Sequence, residues 1–125
     1  MRAISSITAP AVIGAYSQAT QAGNTVYISG QIPLNPSTQI LCSEEIAPQI
    51  TQVIKNIEAL CIAAGGSLAH IVKITVYLMD LTHSTLVNEL MTSHFTAPFP
   101  ARAMIQVSGL PRGAQIEMDA IMVLE

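Results

Sequence analysis

Residues Glu44 to Ala64 read EEIAPQITQVIKNIEALCIAA, and this segment carries the clearest periodic pattern in the chain. Its apolar residues recur at steps of three and four, which places them on one helical face: Ile46, Ile50, Val53, Ile54, Ile57, Leu60, Cys61 and Ala64. Ser43 is a plausible N-cap, and Gly65–Gly66 ends the pattern. Pro48 fits only if it lies in the first helical turn. The pattern predicts an amphipathic helix over 44–64.

A second helix is predicted further along the chain, from about Thr82 to Phe95. Its inward side carries Leu86, Val87, Leu90, Met91 and His94 or Phe95. Four other segments alternate between apolar and polar residues, as strands with one buried face do: Thr25–Ser29, Ile71–Met79, Ala101–Val107 and Ile116–Val123. A weaker strand is predicted over Arg2–Ser6.

The alternation also predicts which strand residues share a face. In the second of these strands, Val72, Ile74, Val76 and Leu78 lie opposite Lys73, Thr75 and Tyr77. In the third, Ala103, Ile105 and Val107 lie opposite Arg102, Met104 and Gln106. In the fourth, Ile116, Met118, Ala120 and Met122 lie opposite Glu117 and Asp119.

Strands and two long helices in this order predict an α+β fold, with a mixed or antiparallel sheet and both helices on one face. The 125 residues predict a single domain over 1–125. Half of the residues are hydrophobic and only 10% are charged, so the polar surface is thin. Because the second sheet face must also be covered, we predict a homo-oligomer.

Composition also bears on partners and location. No apolar run approaches the roughly 18 residues of a membrane-spanning helix, and the N-terminus lacks a signal-peptide layout, so we expect a cytoplasmic protein that does not enter membranes. The net charge is −3 and the five basic residues are scattered, which argues against nucleic acid as the main partner. The two cysteines and three histidines have no metal-ligand spacing, so we expect no metal site.

Charge on the predicted strands stands out in a chain that has little charge, and Arg102 and Glu117 are the candidates for chemistry. Arg102 is either an edge residue in water, a member of a structural ion pair, or a bidentate clamp for a substrate carboxylate. Glu117 is either a partner for a lysine on a neighbouring strand or a general acid/base. Tyr16 is typical of a packed aromatic, and Ser29–Gly30–Gln31 of a tight turn. None of these residues supports a function by itself.

Taken together, these residues resemble the Rid (YjgF) family. The resemblance runs in order through nearly the whole chain, and its most specific elements are the early SGQ step and the late PAR step. The matching residues are Ala9–Pro10, Gly14, Tyr16–Ala19, Ser29–Leu34, Asn56–Ile57, Ala64–Gly65, Ser67–Leu68, Val72–Lys73, Thr75–Leu78, Asp80, Asn88, Pro100–Arg102, Leu110–Pro111, Ile116–Glu117 and Asp119–Ala120.

The resemblance implies a chorismate-mutase-like α+β subunit, assembled as a homotrimer with active sites between adjacent subunits. It implies a deaminase that hydrolyses 2-iminopropanoate, 2-iminobutanoate and related imines to 2-keto acids and ammonia, without cofactor or metal. Arg102 would hold the substrate carboxylate and Glu117 would position or activate the attacking water. Tyr16, Ser29, Gly30 and Asn88 match positions that line the cleft.

The chain departs from the family pattern at a few positions. Met104 stands where many relatives have cysteine, which is tolerable if the position acts through its main chain, and Met104 is kept among the substrate-binding candidates. Ala15 replaces a common proline before Tyr16, and Gln39 replaces a usual turn glycine. Two alternatives therefore stay open: a small-acid-binding or regulatory protein without turnover, and an endoribonuclease or translation inhibitor.

Overall fold

The computed structural model describes residues 1–125, which form one six-stranded sheet and two α-helices. The helices are α1 (Ile46–Ala63) and α2 (Ser84–His94). The strands are β1 (Arg2–Ile4), β2 (Ala19–Ala22), β3 (Thr25–Gln31), β4 (Ile71–Leu78), β5 (Ala101–Gln106) and β6 (Ile116–Val123). No helix has both the length and the hydropathy that a bilayer crossing requires.

The strand order is β1-β2-β3-β6-β4-β5, and every neighbouring pair is antiparallel except β4–β5. That parallel pair follows from its connection, because parallel neighbours need a crossover and α2 lies between the two strands. The predicted α+β fold with a mixed, mostly antiparallel sheet is confirmed.

The core lies between the two helices and one face of the sheet. The apolar residues of α1 predicted from its periodicity are buried there with Val87 and Met91 of α2, except Ile46, which is only partly buried. The sheet contributes alternate residues, as the strand pattern requires: Val26, Ile28, Ile74, Val76, Leu78, Ile116, Met118, Ala120 and Met122. Both helices therefore cover the same face, as predicted, and we call the opposite face the open face.

Both helices begin later than predicted. The N-cap of α1 is Glu45, without a side-chain cap bond, and the Ser43 hydroxyl, two residues earlier, accepts from the Glu45 amide. The prediction of Ser43 as N-cap is therefore wrong. Pro48 does lie in the first turn, and Gly65 follows the helix at φ 95°, a conformation that favours glycine. The residues before α2, Leu81–His83, form a 3-10 turn.

Three strand predictions also need correction. Strand β2 has no alternating pattern, and it forms because β1 and β3 pair with both of its edges. Strand β3 does not stop at Gly30 but continues to Gln31 through an irregularity between Ile28 and Gln31. A second irregularity, between Ile71 and Lys73, turns Val72 outward, so Val72 is 47% exposed rather than buried.

The connection after β3 is fastened to the core by a buried amide. Asn56 of α1 donates from Nδ2 to the carbonyls of Ile32 and Leu34, at 3.2 and 3.1 Å, and accepts from Gln52 at 2.8 Å. The buried Leu34 carbonyl depends on this amide, whereas the Ile32 carbonyl also accepts from the Leu34 amide at 2.7 Å. Asn56 fixes the segment that follows Ser29–Gly30 against α1.

We expect Asn56→Ala to lower the free energy of unfolding by about 1–3 kcal/mol, because the buried Leu34 carbonyl loses its donor and an unsatisfied buried group costs about that much, whereas the Ile32 carbonyl keeps the Leu34 amide as a donor. Urea unfolding at fixed protein concentration measures this change. Gln52→Ala is the matched control and should cost less than about 1 kcal/mol. Equal losses in the two variants would contradict the assignment.

Candidate functional site

Arg102 lies on the helix side of the edge strand β5. In the parallel register it pairs with Ile74, and Met104 pairs with Val76; both partners are buried against the helices. The Arg102 side chain therefore extends over α2, where Nη1 donates to Oδ1 of Asn88 and to Sδ of Met91 at 3.6 Å. Asn88 and Met91 are three residues apart and share one helical face.

The Arg102 side chain borders a cavity of about 380 Å³. The lining residues are Asn88, Met91, Thr92, Phe99, Pro100 and Arg102. Both hydrogen bonds of Arg102 use one terminal nitrogen, and neither acceptor is an acid. The interpretation of Arg102 as part of a structural ion pair is therefore wrong. A guanidinium has five donors in a plane, so its other nitrogens remain available for an anion.

Glu117 lies on the open face of β6, where the strand alternates buried and half-buried residues. Its cross-strand partner on β4 is Tyr77, and no lysine occupies that position. Lys73 instead pairs with Ile121 at the other end of the strand. The interpretation of Glu117 as the partner of a lysine is therefore wrong. Burial raises the pKa of the half-buried Glu117 carboxyl, and the nearby Asp119 carboxylate raises it further.

Gly30 leaves room for the Glu117 side chain. A Cβ at residue 30 would overlap Oε2 of Glu117 and would lie 2.9 Å from its Cδ. The irregularity in β3 sets Ser29 and Gly30 against one residue of β6, which brings the Gly30 backbone to the carboxylate. Glycine is needed here because the Glu117 side chain approaches the backbone closely. Backbone conformation is not the reason, because the φ angle of Gly30 lies outside the left-handed region.

Gly30→Ala is expected to displace the Glu117 carboxylate and to lower kcat about 100-fold, since misplacing a reacting group by about 1 Å has an effect of that size. Turnover of the wild-type chain and of the variant under identical conditions measures kcat, and thermal unfolding checks the fold. Gly109→Ala is the matched control, because a Cβ there meets nothing within 4 Å. Full activity in Gly30→Ala would show that the position of Glu117 is unimportant.

Ser29 and Tyr16 complete the surroundings of Gly30. The Ser29 hydroxyl donates to the carbonyl of Ser17 at 2.6 Å, which joins β3 to the loop that carries Tyr16. Tyr16 is 50% exposed and lines the same small cavity as Gly30. The expectation of a packed aromatic is therefore wrong for Tyr16 in the isolated chain. The buried Gln18 fixes this loop, because its amide bonds to Ser6 and to the carbonyl of Pro10.

The predicted residues thus form two groups within one chain. Arg102 and Asn88 lie together on the helix side, and Tyr16, Ser29, Gly30 and Glu117 lie together elsewhere. Arg102 and Glu117 point to opposite sides of the sheet, and their β4 partners are Ile74 and Tyr77. Three residues along a strand add about 10 Å. One chain therefore does not bring Arg102 and Glu117 together.

Some residues behave differently from the prediction or were missed. The Met104 side chain packs against the core and is not among the residues lining the Arg102 cavity. Met91 and Phe99, which do line it, were not singled out from the sequence. The spacing of Met91 from Asn88, and the place of Phe99 just before the PAR step, could have indicated them.

Other features of the chain offer less chemistry. A larger cavity, of about 640 Å³, follows the N-terminal loop, but its lining contains no charged side chain to hold an anion. No three histidine, cysteine, aspartate or glutamate side chains lie close enough to hold a metal ion. Burial raises the pKa of Cys61 to about 12 and also raises that of Cys42, which favours the protonated form of both thiols.

Known proteins match this chain over almost its full length. The family model described as Endoribonuclease L-PSP matches residues 6–124. The chain is 44% identical over 124 residues to Protein DfrA of Myxococcus xanthus, covering 98% of this chain and 95% of that one. It is 43% identical over 122 residues to the human (Homo sapiens) 2-iminobutanoate/2-iminopropanoate deaminase, covering 98% and 89%.

A solved structure agrees with these relatives. The crystal structure of RidA from the Antarctic bacterium Psychrobacter sp. PAMC 21119 superposes with a TM-score of 0.96 at 44% identity, covering 99% of this chain and 100% of that one. Sequence and structure therefore give the same assignment, and the chain belongs to the Rid (YjgF) family, whose members include imine deaminases.

Proposed function

We propose that this protein hydrolyses reactive imines of small amino acids, such as 2-iminopropanoate and 2-iminobutanoate, to 2-keto acids and ammonia. The observation that carries the proposal is Arg102, whose guanidinium borders a cavity and is oriented by Asn88 rather than neutralised by an acid. Charge-assisted bonds to a carboxylate contribute about 1.5–3 kcal/mol each, enough to select a small acid. Relatives named as deaminases, at 38–43% identity, support it.

The complete site, on this proposal, lies between two copies of the chain. Arg102 and Asn88 of one copy face Glu117 and its neighbours Gly30, Ser29 and Tyr16 of the next copy. Two copies are needed because, within one chain, Arg102 and Glu117 lie on opposite sides of the sheet. The open face has no helix over it and carries exposed apolar side chains, including Tyr27 at 50% and Ile105 at 45%. Such a face favours association, and the assembly we propose is a closed homotrimer.

The proposed reaction needs little beyond orientation and proton transfer. The protonated imine carbon is electrophilic, and Arg102 holds the adjacent carboxylate so that this carbon faces a water molecule. Glu117 takes a proton from the water as its oxygen bonds to carbon, and then delivers that proton to nitrogen. As the C–N bond breaks and ammonia leaves, Glu117 takes the remaining hydroxyl proton, so that the C=O bond of the keto acid forms, and the departing ammonia removes this proton as ammonium. The chain's own side chains carry every step, so we propose no cofactor.

The test couples the purified protein to a threonine dehydratase and traps the remaining imine with semicarbazide. We expect the protein to decrease the trapped product and Arg102→Ala to restore it. Arg2→Ala is the matched control, because Arg2 is an exposed arginine that bonds only to Gln21. Trapping that the wild-type protein leaves undiminished would contradict the proposal; keto-acid binding without hydrolysis would then favour a binding or regulatory role.

A second candidate is RNA cleavage, because the matching family model is described as an endoribonuclease. The net charge of −3 and the scattered basic residues count against it, since RNA binding requires neutralised phosphates. RNA decay that persists through stringent purification, by a protein that leaves imine trapping undiminished, would favour this candidate over imine hydrolysis.

A further inference from the structure

Glu117 has a second carboxylate beside it on the open face. Asp119 lies two residues along β6, and alternate strand residues point to the same side. In the β4–β6 register, Glu117 is opposite Tyr77 and Asp119 is opposite Thr75. The two acids and Tyr77 therefore form one cluster, which we call the open-face triad.

The triad is joined by a diagonal hydrogen bond. The Tyr77 hydroxyl donates to Oδ2 of Asp119 at 2.7 Å, although its direct cross-strand partner is Glu117. A phenol that leans along the strand to a neighbouring position restricts the rotamer of the carboxylate it binds. Donating this bond to the Asp119 carboxylate raises the pKa of Tyr77, because Asp119 stabilises the protonated hydroxyl. Tyr77 thus remains a donor throughout the neutral range.

The surroundings leave Asp119 as the nearest charge to Glu117. Strand β3 faces it with Ser29, Gly30 and, farther along, Tyr27, and β5 contributes only the uncharged Ala101, Ala103 and Ile105 on this face. Strand β4 contributes Tyr77, Thr75 and Lys73. Lys73 lies four residues beyond Tyr77, about 13 Å along the strand. Within the chain, no cation offsets the effect of Asp119 on Glu117.

We propose that Tyr77 and Asp119 are positioning residues for Glu117: Tyr77 fixes the Asp119 carboxylate, and its charge keeps Glu117 ready to take up and pass on a proton. This inference deepens the proposed function and rests on it. The raised pKa of Glu117 agrees with this role, since an acid/base group works best when its pKa is close to the working pH. Neither positioning residue is required to touch the substrate.

Two isosteric variants test the inference, Asp119→Asn and Tyr77→Phe. Because Glu117 acts as the base, activity falls as Glu117 becomes protonated, on the acidic limb of the kcat profile. Asp119→Asn removes the charge that raises the pKa of Glu117, so the limb should move to lower pH. Tyr77→Phe removes the dipole that moderates this charge, so the limb should move to higher pH. At neutral pH, kcat of Asp119→Asn should fall about tenfold, with KM nearly unchanged.

The controls separate positioning from folding. Asp119→Glu should return the limb toward its wild-type place, and Tyr27→Phe, an open-face tyrosine outside the triad, should leave it unmoved. The double variant, Asp119→Asn with Tyr77→Phe, should have the same acidic limb as Asp119→Asn alone, because Tyr77 acts through Asp119. An acidic limb that stays in place in Asp119→Asn would overturn the inference.

A second readout does not depend on turnover. Titration of ¹³C-labelled glutamate by NMR, with the Glu117 signal assigned from Glu117→Gln, should show the same directions of change. If the wild type hydrolyses no imine but Asp119→Asn lowers the Glu117 midpoint, the proposed function fails and the coupling within the triad stands. If the wild type is active and the midpoint does not move, the coupling fails alone.

Discussion

Arg102→Ala is expected to lower kcat/KM for a 2-imino acid by about 10²–10⁴-fold. The estimate follows from losing two charge-assisted bonds of about 1.5–3 kcal/mol each. Stability should change little, because Arg102 is exposed and its partners are Asn88 and Met91. Steady-state hydrolysis in the coupled assay measures the effect.

Arg102→Lys distinguishes shape from charge. Lysine keeps the positive charge but loses the planar pair of donors, so we expect activity between those of wild type and Arg102→Ala. Arg2→Ala should remain fully active. Activity of Arg102→Ala within about threefold of wild type would remove the carboxylate clamp from the mechanism.

Glu117→Gln is expected to lower kcat by about 10²–10⁴-fold while KM changes little, because the amide keeps the shape of the side chain but cannot accept the proton from water. The fold should persist, since the substitution removes a half-buried charge beside another acid. Substrate saturation curves separate the two constants.

The pH dependence of kcat gives an independent test of the role of Glu117. Burial and Asp119 raise the pKa of Glu117, so the carboxylate form, and with it kcat, should be lost as the pH falls through this raised value. The residual activity of Glu117→Gln should lack that acidic limb. A limb of unchanged midpoint in Glu117→Gln would assign the base to another group.

Hydrophobic periodicity accounts for most of the fold that was predicted. The apolar face of α1 packs against the buried residues of β6 in the core. In each element a single periodic pattern specifies the buried face. Strand β2 was missed because Ala19–Ala22 has no such pattern and depends on pairing with its neighbours. The two strand irregularities were missed because local alternation contains no information on register.

The site residues were indicated by resemblance, whereas their arrangement required the topology. The alternation predicted that Arg102 and Met104 share one face of β5. It did not predict which face meets the helices, because both faces of this edge strand are mostly exposed. The opposite orientations of Arg102 and Glu117 follow from the strand order β6-β4-β5 together with the two registers on β4, which pair Arg102 with Ile74 and Glu117 with Tyr77. A single strand pattern cannot specify that order.

The most direct test of a site shared between copies is complementation between inactive variants. Arg102→Ala and Glu117→Gln proteins are unfolded, mixed in equal amounts and refolded, and mixed oligomers are verified by native mass spectrometry. If each site takes Arg102 from one copy and Glu117 from another, half of the copies supply each intact group, so about a quarter of the sites recover. We predict activity near a quarter of wild type. Mixed oligomers that stay as inactive as their parents would contradict the shared site.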